Sequence, residues 1–422
     1  MIKDYRENAD RGVVLNIDLS VEISGIRFKN PLMSASCPIS RDSESIKKLV
    51  DNNIGGVVAK TISITPALVP RPSIAIVDRG LGRFYVLNTV KPGEIRVEST
   101  DHLNVRFIYS ILNAESWSDI SFEHYLEREY PIAIKYCREN NVRFFASIGY
   151  KPEELSILGP RVEKIGVDAI EFSTHYIGRD YKPIVDSAKA LRESVSIPIF
   201  AKISPFTPNI SELVRELEKI GVDGIVATNT IGPALSIDVE TGLPILGGSY
   251  GYGWMSGPAL KPLSLAIVAE IARNTKLPVI GVGGIVRGVD VIEYFMVGAS
   301  AVQLCSIALI EGPGVFKRIL SEVEYWLKTH GYSSILDIKG ISLKYLKPEP
   351  RRTWSTPPVV DEKKCIGCGF CQQVCVYDAV KIDLIGNKRI ASIDQTKCYG
   401  CGLCTTICPT RAIRFLEQDL FI

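Results

Sequence analysis

The 422-residue sequence predicts an α/β chain, a closed (β/α)8 TIM barrel followed by a small α+β domain. Three observations predict it. Short β-branched runs alternate with stretches of helical period, a proline-rich segment follows them, and eight of the eleven cysteines crowd into the remaining tail. Parallel strands joined by crossover helices produce this alternation.

In chain order the strand candidates are PLMSAS (31–36), GGVVAK (55–60), VRFFASI (142–148), DAIEFS (168–173), PIFAKI (198–203), GIVATN (224–229), PVIGVG (278–283) and AVQLCS (301–306). Between them lie stretches such as SESIKKLV, SELVRELEKIG, PLSLAIVAEIARN and VDVIEYFMVG, whose apolar positions recur every three or four residues. Eight βα units argue for a closed barrel, with an open doubly wound sheet as the competing arrangement. Residues 1–346 suffice for one barrel, which needs about 250 residues before insertions. Residues 347–360, KPEPRRTWSTPPVV, carry four prolines and a basic pair and read as a stiff linker. Residues 361–422 make the second domain. Two long excursions, 61–141 and 230–259, follow predicted strands and are expected over the active site, because loops after strands lie at the C-terminal face of a barrel.

The tail holds Cys365, Cys368, Cys371 and Cys375, then Cys398, Cys401, Cys404 and Cys408, each run spaced C-x2-C-x2-C-x3-C. This is the spacing of a bacterial-type ferredoxin domain with two [4Fe-4S] clusters, in which the cysteine after the wider gap serves the other cluster. The expected ligand sets are crossed: Cys365, Cys368 and Cys371 with Cys408, and Cys398, Cys401 and Cys404 with Cys375. Structural thiols, disulfides or zinc are the bland alternatives, though zinc knuckles do not need the interleaved fourth cysteine. KCIGCGFCQQVCVYDAVKI is echoed 33 residues later by KCYGCGLCTTICPTRAIRF, so the domain has two similar halves, with Val376 where the second half has Pro409. Cys37, Cys137 and Cys305 are expected to be mostly buried and reduced, because thiolate-ligated clusters belong in a reducing compartment.

Lys60 ends the second strand and Lys202 stands near the end of the fifth, in otherwise apolar runs. Charge is costly there unless something uses it, and a ring that becomes anionic on reduction, such as an isoalloxazine, would do so. The alternative is that either lysine simply reaches solvent along its stem. The seventh strand ends in GVGGI and the eighth in Cys305-Ser306, where barrels commonly seat a phosphate. The apolar run FIYSIL stops at Asn113, which is either a ligand contact or a turn cap.

The motifs NPLMSAS, GGVVAKT, PIFAKI, GIVATNT, WMSG, IGVGGI and LCS, in this order, resemble the dihydroorotate and dihydropyrimidine dehydrogenase family, in the branch whose FMN barrel precedes a two-cluster ferredoxin domain. The resemblance covers nearly the whole chain. It implies FMN contacts at Ser36, Lys60, Thr61 and Lys202, with Gly257, Gly283, Gly284, Cys305 and Ser306 on the ribityl phosphate side. It implies that Asn113, Asn229 and Thr230 hydrogen-bond a pyrimidine ring. The activity it implies is hydride exchange between flavin N5 and a small unsaturated ring, an oxidoreductase of the CH–CH group.

One segment departs from the family. Where relatives read close to E-L-N-L-S-C-P, this chain reads Glu171-Phe172-Ser173-Thr174-His175-Tyr176-Ile177, so Ser173 replaces the ring-binding asparagine and Tyr176 stands closest to the catalytic cysteine. The proton partner must therefore be chosen afresh. A free imidazole titrates at about 6.5 and a phenol at about 10. His175 thus suits proton abstraction and Tyr176 proton donation, unless both only shape the pocket. Strand parity puts Glu171, Ser173 and His175 on one side.

With 49 basic and 47 acidic residues and a net charge of +2, the chain has no nucleic-acid footprint. It shows no leader segment and no uncharged apolar run of the roughly 18 residues that a span requires, so a cytosolic protein without membrane contact is expected. No G-x-G-x-x-G follows an early strand, which leaves electron exchange to a ferredoxin or to a separate NAD(P)H-oxidising flavin subunit. A homodimer or hetero-oligomer is expected. The pyrimidine reductase is the leading reading; dihydroorotate oxidation, reduction of a non-pyrimidine substrate, and an electron-relay subunit are the alternatives.

Overall fold

The structure is a computed structural model, and it describes residues 16–78, 85–91, 94–99, 108–173, 180–349 and 355–416. Two compact units emerge, Met1–Arg79 with Phe107–Tyr345, and Gly80–Arg106 with Leu346–Ile422.

In the first unit the eight expected strands close a parallel barrel: β1 (Leu32–Ser34), β2 (Gly56–Val58), β3 (Arg143–Ile148), β4 (Ala169–Ser173), β5 (Ile199–Ile203), β6 (Gly224–Ala227), β7 (Val279–Val282) and β8 (Ala301–Leu304). Each pairs with its neighbour in sequence, and β8 returns to β1 with Leu304 opposite Ser34. The open doubly wound alternative is thereby excluded. The crossover helices are α1 (Ser43–Val50), α2 (Tyr130–Glu139), α3 (Pro152–Ile165), α4 (Lys182–Ser194), α5 (Ile210–Ile220), α6 (Lys261–Asn274), α7 (Gly288–Met296) and α8 (Val315–Thr329).

Local chemistry sets their limits. Asp42 caps α1 by accepting from Ser45 N at 2.8 Å. Gly166 and Gly221 end α3 and α5 with φ of 86° and 91°, the left-handed turn that glycine takes without penalty. α5 buries Leu213, Val214 and Leu217 on one stripe against the barrel. Inside, Phe145 and Phe200 meet with ring centroids 5.1 Å apart. A hairpin of Val21–Ile23 and Ile26–Phe28, turned by Ser24 and Gly25 at positive φ, buries Phe28 against Phe145.

The excursions behave differently from one another. Flanks of the first, Ile74–Asp78 and Ile108–Asn113, join Ile231–Ala234 and Gly253–Ser256 from the second in a four-stranded antiparallel side sheet. Between those flanks, Tyr85–Lys91 and Glu94–Ser99 pair with each other and belong with the second unit. Thus the flanks of the first excursion, and not its whole length, join the barrel unit.

The second unit repeats itself in its hydrogen bonds. Asp361 N donates to Ala412 O and Cys365 N to Asp361 O; 33 residues on, Asp394 N donates to Ala379 O and Cys398 N to Asp394 O. Short helices Phe370–Gln373 and Leu403–Ile407 each follow a glycine at positive φ, and Val380–Ile385 pairs with Lys388–Ile393. Val376 is 81% exposed, so its exchange for proline leaves the packing untouched. Among the described residues no helix is long and apolar enough to cross a membrane.

Candidate active site and cluster sites

The C-terminal ends of the barrel strands and the side sheet enclose a cavity of about 1010 Å³, counting its open mouth. Ser36, Lys60, Thr61, Lys202, Gly257, Gly283, Gly284, Cys305 and Ser306 all line it, as do Asn113, Asn229 and Thr230. Residues named from eight separate stretches of chain therefore meet at one place.

Each lysine enters the cavity wall paired with a carboxylate. Lys202 Nζ lies 3.1 Å from Glu171 Oε1 and 3.3 Å from Gln303 Oε1, while Gln303 Nε2 donates to Glu171 Oε2 at 2.6 Å. Glu171 is wholly buried, and it anchors the ammonium from below the floor of the cavity. Lys60 Nζ lies 3.1 Å from Glu115 Oε2 and donates to Ser116 O at 2.8 Å. Burial pushes the Lys60 pKa below the usual lysine value, and the Glu115 charge offsets part of that. Neither lysine escapes to solvent along its stem. The wall consequently offers strong donors with little net positive charge.

Hydroxyls continue the wall. Ser36 Oγ meets Thr61 Oγ1 at 2.7 Å and Thr61 meets Ser147 Oγ at 2.8 Å. Ser306 Oγ donates to Ser256 Oγ at 3.0 Å. Asn113 ends its strand and faces the cavity, with Nδ2 donating to Trp254 O at 3.0 Å. Asn229 Nδ2 donates to Ser173 Oγ at 3.0 Å, and Asn229 Oδ1 accepts from Thr230 N at 2.8 Å. Ser173 is buried and holds that amide. His175 and Tyr176 lie outside the described residues.

The glycine loop after β7 is built from behind. Gly283 (φ 126°) and Gly284 (φ 68°) take conformations that side chains rarely adopt, and a Cβ on Gly283 would press on Ser264 Oγ. Tyr294 OH donates to Gly283 O at 2.7 Å, and Asp290 accepts from Val286 N and Arg287 N, each at 2.8 Å. Backbone thus reaches the cavity at a place where no side chain fits.

Glu115, Tyr150 and Gln303 also line the cavity without having been assigned a part from sequence. Gln303 carries the signal that singled out Lys202, a polar residue inside an apolar strand. Tyr150 follows β3 and packs on Trp117 with centroids 4.8 Å apart. An adjoining cavity shares Glu115, Ser116 and Tyr150 and adds Trp117 and Trp254 to its walls.

Cysteine pairing differs from expectation at one point. Cys137 is buried and free, but Cys37 and Cys305, 268 residues apart, form a disulfide in the cavity wall. Closure of the barrel through β8 and β1 brings them together, which spacing in sequence cannot reveal.

In the second unit Cys365, Cys368, Cys371 and Cys408 surround one small void, and Cys375, Cys398, Cys401 and Cys404 surround another. Among the described residues no group of three or more His, Cys, Asp or Glu side chains is placed to hold a single metal ion. Ala391 N donates to Cys365 Sγ at 3.4 Å and Ala412 N to Cys408 Sγ at 3.2 Å, contacts that favour thiolate. Four thiols around each void fit a cubane, and the glycine-floored cavity with its two ammonium donors fits a flavin mononucleotide.

A (β/α)8 barrel with such a cavity, followed by two four-thiol voids, defines a flavin- and iron–sulfur-dependent oxidoreductase. The profile of dihydroorotate dehydrogenase matches residues 175–327, and that of a 4Fe-4S dicluster domain matches residues 358–415. The catalytic subunit of dihydroorotate dehydrogenase B (NAD(+)) from Pyrococcus horikoshii is 31% identical over 337 residues, which cover 77% of this chain and 98% of that protein. Its counterpart from Pyrococcus abyssi is 29% identical over 341 residues, 77% of this chain and 99% of the relative. The NAD-dependent dihydropyrimidine dehydrogenase subunit PreA of Escherichia coli strain K12 is 25% identical over 385 residues, 86% of this chain and 87% of its own. The chain belongs to the dihydroorotate dehydrogenase family. It is an oxidoreductase acting on CH–CH bonds, with FMN and two [4Fe-4S] clusters as cofactors.

Proposed function

We propose that this chain is the catalytic subunit of an enzyme that interconverts a pyrimidine and its 5,6-dihydro form, with FMN seated in residues 1–346, a linker at 347–360 and the clusters in 361–422. The observation that carries this reading is the pairing of both wall lysines with carboxylates, Lys60 with Glu115 and Lys202 with Glu171. A neutral ring suits such a wall. Orotate brings a carboxylate of its own, which Glu115 would repel and for which the described wall residues hold no uncommitted ammonium. The match to the PreA subunit lends further support, because it extends over more of this chain than the barrel region contains.

FMN supplies hydride exchange with the substrate and single-electron exchange with the clusters. Ser36, Thr61, Lys60 and Lys202 hold its ring side, and Gly257, Gly283, Gly284 and Ser306 its phosphate side. Asn113, Asn229 and Thr230 hydrogen-bond the substrate ring, while Ser173 positions Asn229 through the 3.0 Å bond. Tyr150 and Trp117 offer flat apolar surface beside it. His175 or Tyr176 moves the proton. Electrons come from a ferredoxin or from a separate NAD(P)H-oxidising flavin subunit, in the cytosol, within a homodimer or hetero-oligomer.

Anaerobic reduction of the loaded protein with dithionite, followed by mixing with uracil, thymine or orotate, tests the substrate. Flavin reoxidation by uracil or thymine ahead of orotate is expected; reoxidation by orotate alone would establish dihydroorotate chemistry instead. Among the variants, Tyr176→Phe should lower turnover roughly 100-fold if the phenol is the proton donor, and His175→Gln should remove the acidic limb of the pH profile if the imidazole is the base. Both profiles unchanged would place the proton on another group.

A further inference from the structure

The Cys37–Cys305 disulfide has no part in hydride or electron transfer as derived above, yet it stands in the wall of the reaction cavity. Cys37 follows the end of β1 and Cys305 the end of β8. The ladder between these strands runs out at the register of Ser34 with Leu304, with one more bond from Ala35 N to Leu304 O at 2.8 Å. Beyond that bond the disulfide ties the two loops, with the Cα atoms of Cys37 and Cys305 6.5 Å apart. Ser36 and Ser306, proposed flavin contacts, are its immediate chain neighbours. Both cysteines are half-buried and line the open cavity, whereas Cys137 is wholly buried, with its thiol pushed up to about 12. A thiolate can therefore approach the disulfide from the cavity, and no such approach exists to Cys137.

We infer that Cys37–Cys305 is a reversible thiol–disulfide site whose reductant is a dithiol entering through the cavity mouth. One thiolate of the dithiol attacks one sulfur of the disulfide and forms a mixed disulfide with it, releasing the other cysteine as a thiolate; the second thiolate of the dithiol then attacks the dithiol's own sulfur in the mixed disulfide and releases the first cysteine. The S–S bond takes up two electrons and two protons to give two thiols, and the dithiol is oxidised to its own disulfide. Reduction unties the loop after β1, which carries the ring contact Ser36, from the loop after β8, which carries the phosphate-side contact Ser306, so the reduced protein holds FMN more weakly. This last consequence rests on the placement of FMN proposed above; the exchange reaction does not.

The test uses the cluster-loaded full chain, with and without saturating FMN. Samples are treated with dithiothreitol, quenched with iodoacetamide at intervals, and the peptides bearing Cys37, Cys137 and Cys305 are quantified by mass spectrometry. Neither Cys37 nor Cys305 should label before dithiol; both should label together after it, while Cys137 stays unlabelled. Bound FMN should slow their labelling about tenfold by covering the site, and FMN release, followed by recovered flavin fluorescence, should be several-fold faster from the reduced protein and from Cys37→Ser. Labelling before dithiol, or a disulfide that opens only after denaturation, would overturn the exchange site. Labelling as expected with no protection by FMN, in samples whose absorption proves flavin bound, would leave the exchange site standing and refute the FMN placement.

Discussion

At the scale of single residues, the cavity is governed by charges matched inside the wall. Lys60 is held by Glu115 and by Ser116 O, and only the carboxylate can compensate its charge. Glu115→Gln removes that compensation and should cost roughly 2 kcal/mol at neutral pH, read from chemical denaturation. The pH dependence has a definite sign. Burial sets the folded pKa of Lys60 below its unfolded value, so the cost of the buried charge is present in full below the folded pKa and fades as pH rises toward about 10.4. Stability from this group therefore rises with pH across that window, and in Glu115→Gln the rise should begin at lower pH. Reductive methylation of Lys60 followed by carbon NMR reports its titration, and a midpoint equal to wild type would refute the assignment. Lys202 was legible in sequence as a charge in an apolar strand; its dependence on Glu171 and Gln303 was not, because those partners stand on other strands.

At the scale of elements, the loop between β7 and α7 decides whether backbone can reach a ligand. Gly283→Ala introduces a Cβ against Ser264 at a φ of 126°, which should cost about 2 kcal/mol of stability and weaken FMN binding at least about tenfold, measured by flavin titration of apo-protein. Wild-type affinity in that variant would show that the loop gives way. All eight barrel strands were legible as short, mainly apolar runs because each is local and buried. The side sheet was not, since its strands come from two excursions far apart in sequence. The three-residue strands of the Val21–Phe28 hairpin are too short to carry a period. Asn113 is the last residue of its strand and lines the cavity.

At the scale of the whole molecule, the chain joins two-electron chemistry in the barrel to one-electron carriers in the tail. The crossed ligation separates two outcomes sharply. Cys408→Ser should cut iron from about eight to about four per chain, and adding Cys365→Ser should remove no more, whereas adding Cys398→Ser should remove nearly all. Additional loss from the pair Cys408 and Cys365, with none from Cys408 and Cys398, would show that each run keeps its own cluster. Iron analysis with electron paramagnetic resonance of the reduced protein distinguishes them. By itself the sequence determined the barrel and the two thiol runs, because strand period, helix period and ligand spacing are properties of neighbouring residues. Only the tertiary structure decided that Lys60 meets Glu115, that Lys202 rests on Glu171 and Gln303, and that Cys37 bonds to Cys305 across 268 residues. Those partners are chosen by which strand ends the closed barrel brings together, and no local pattern records that closure.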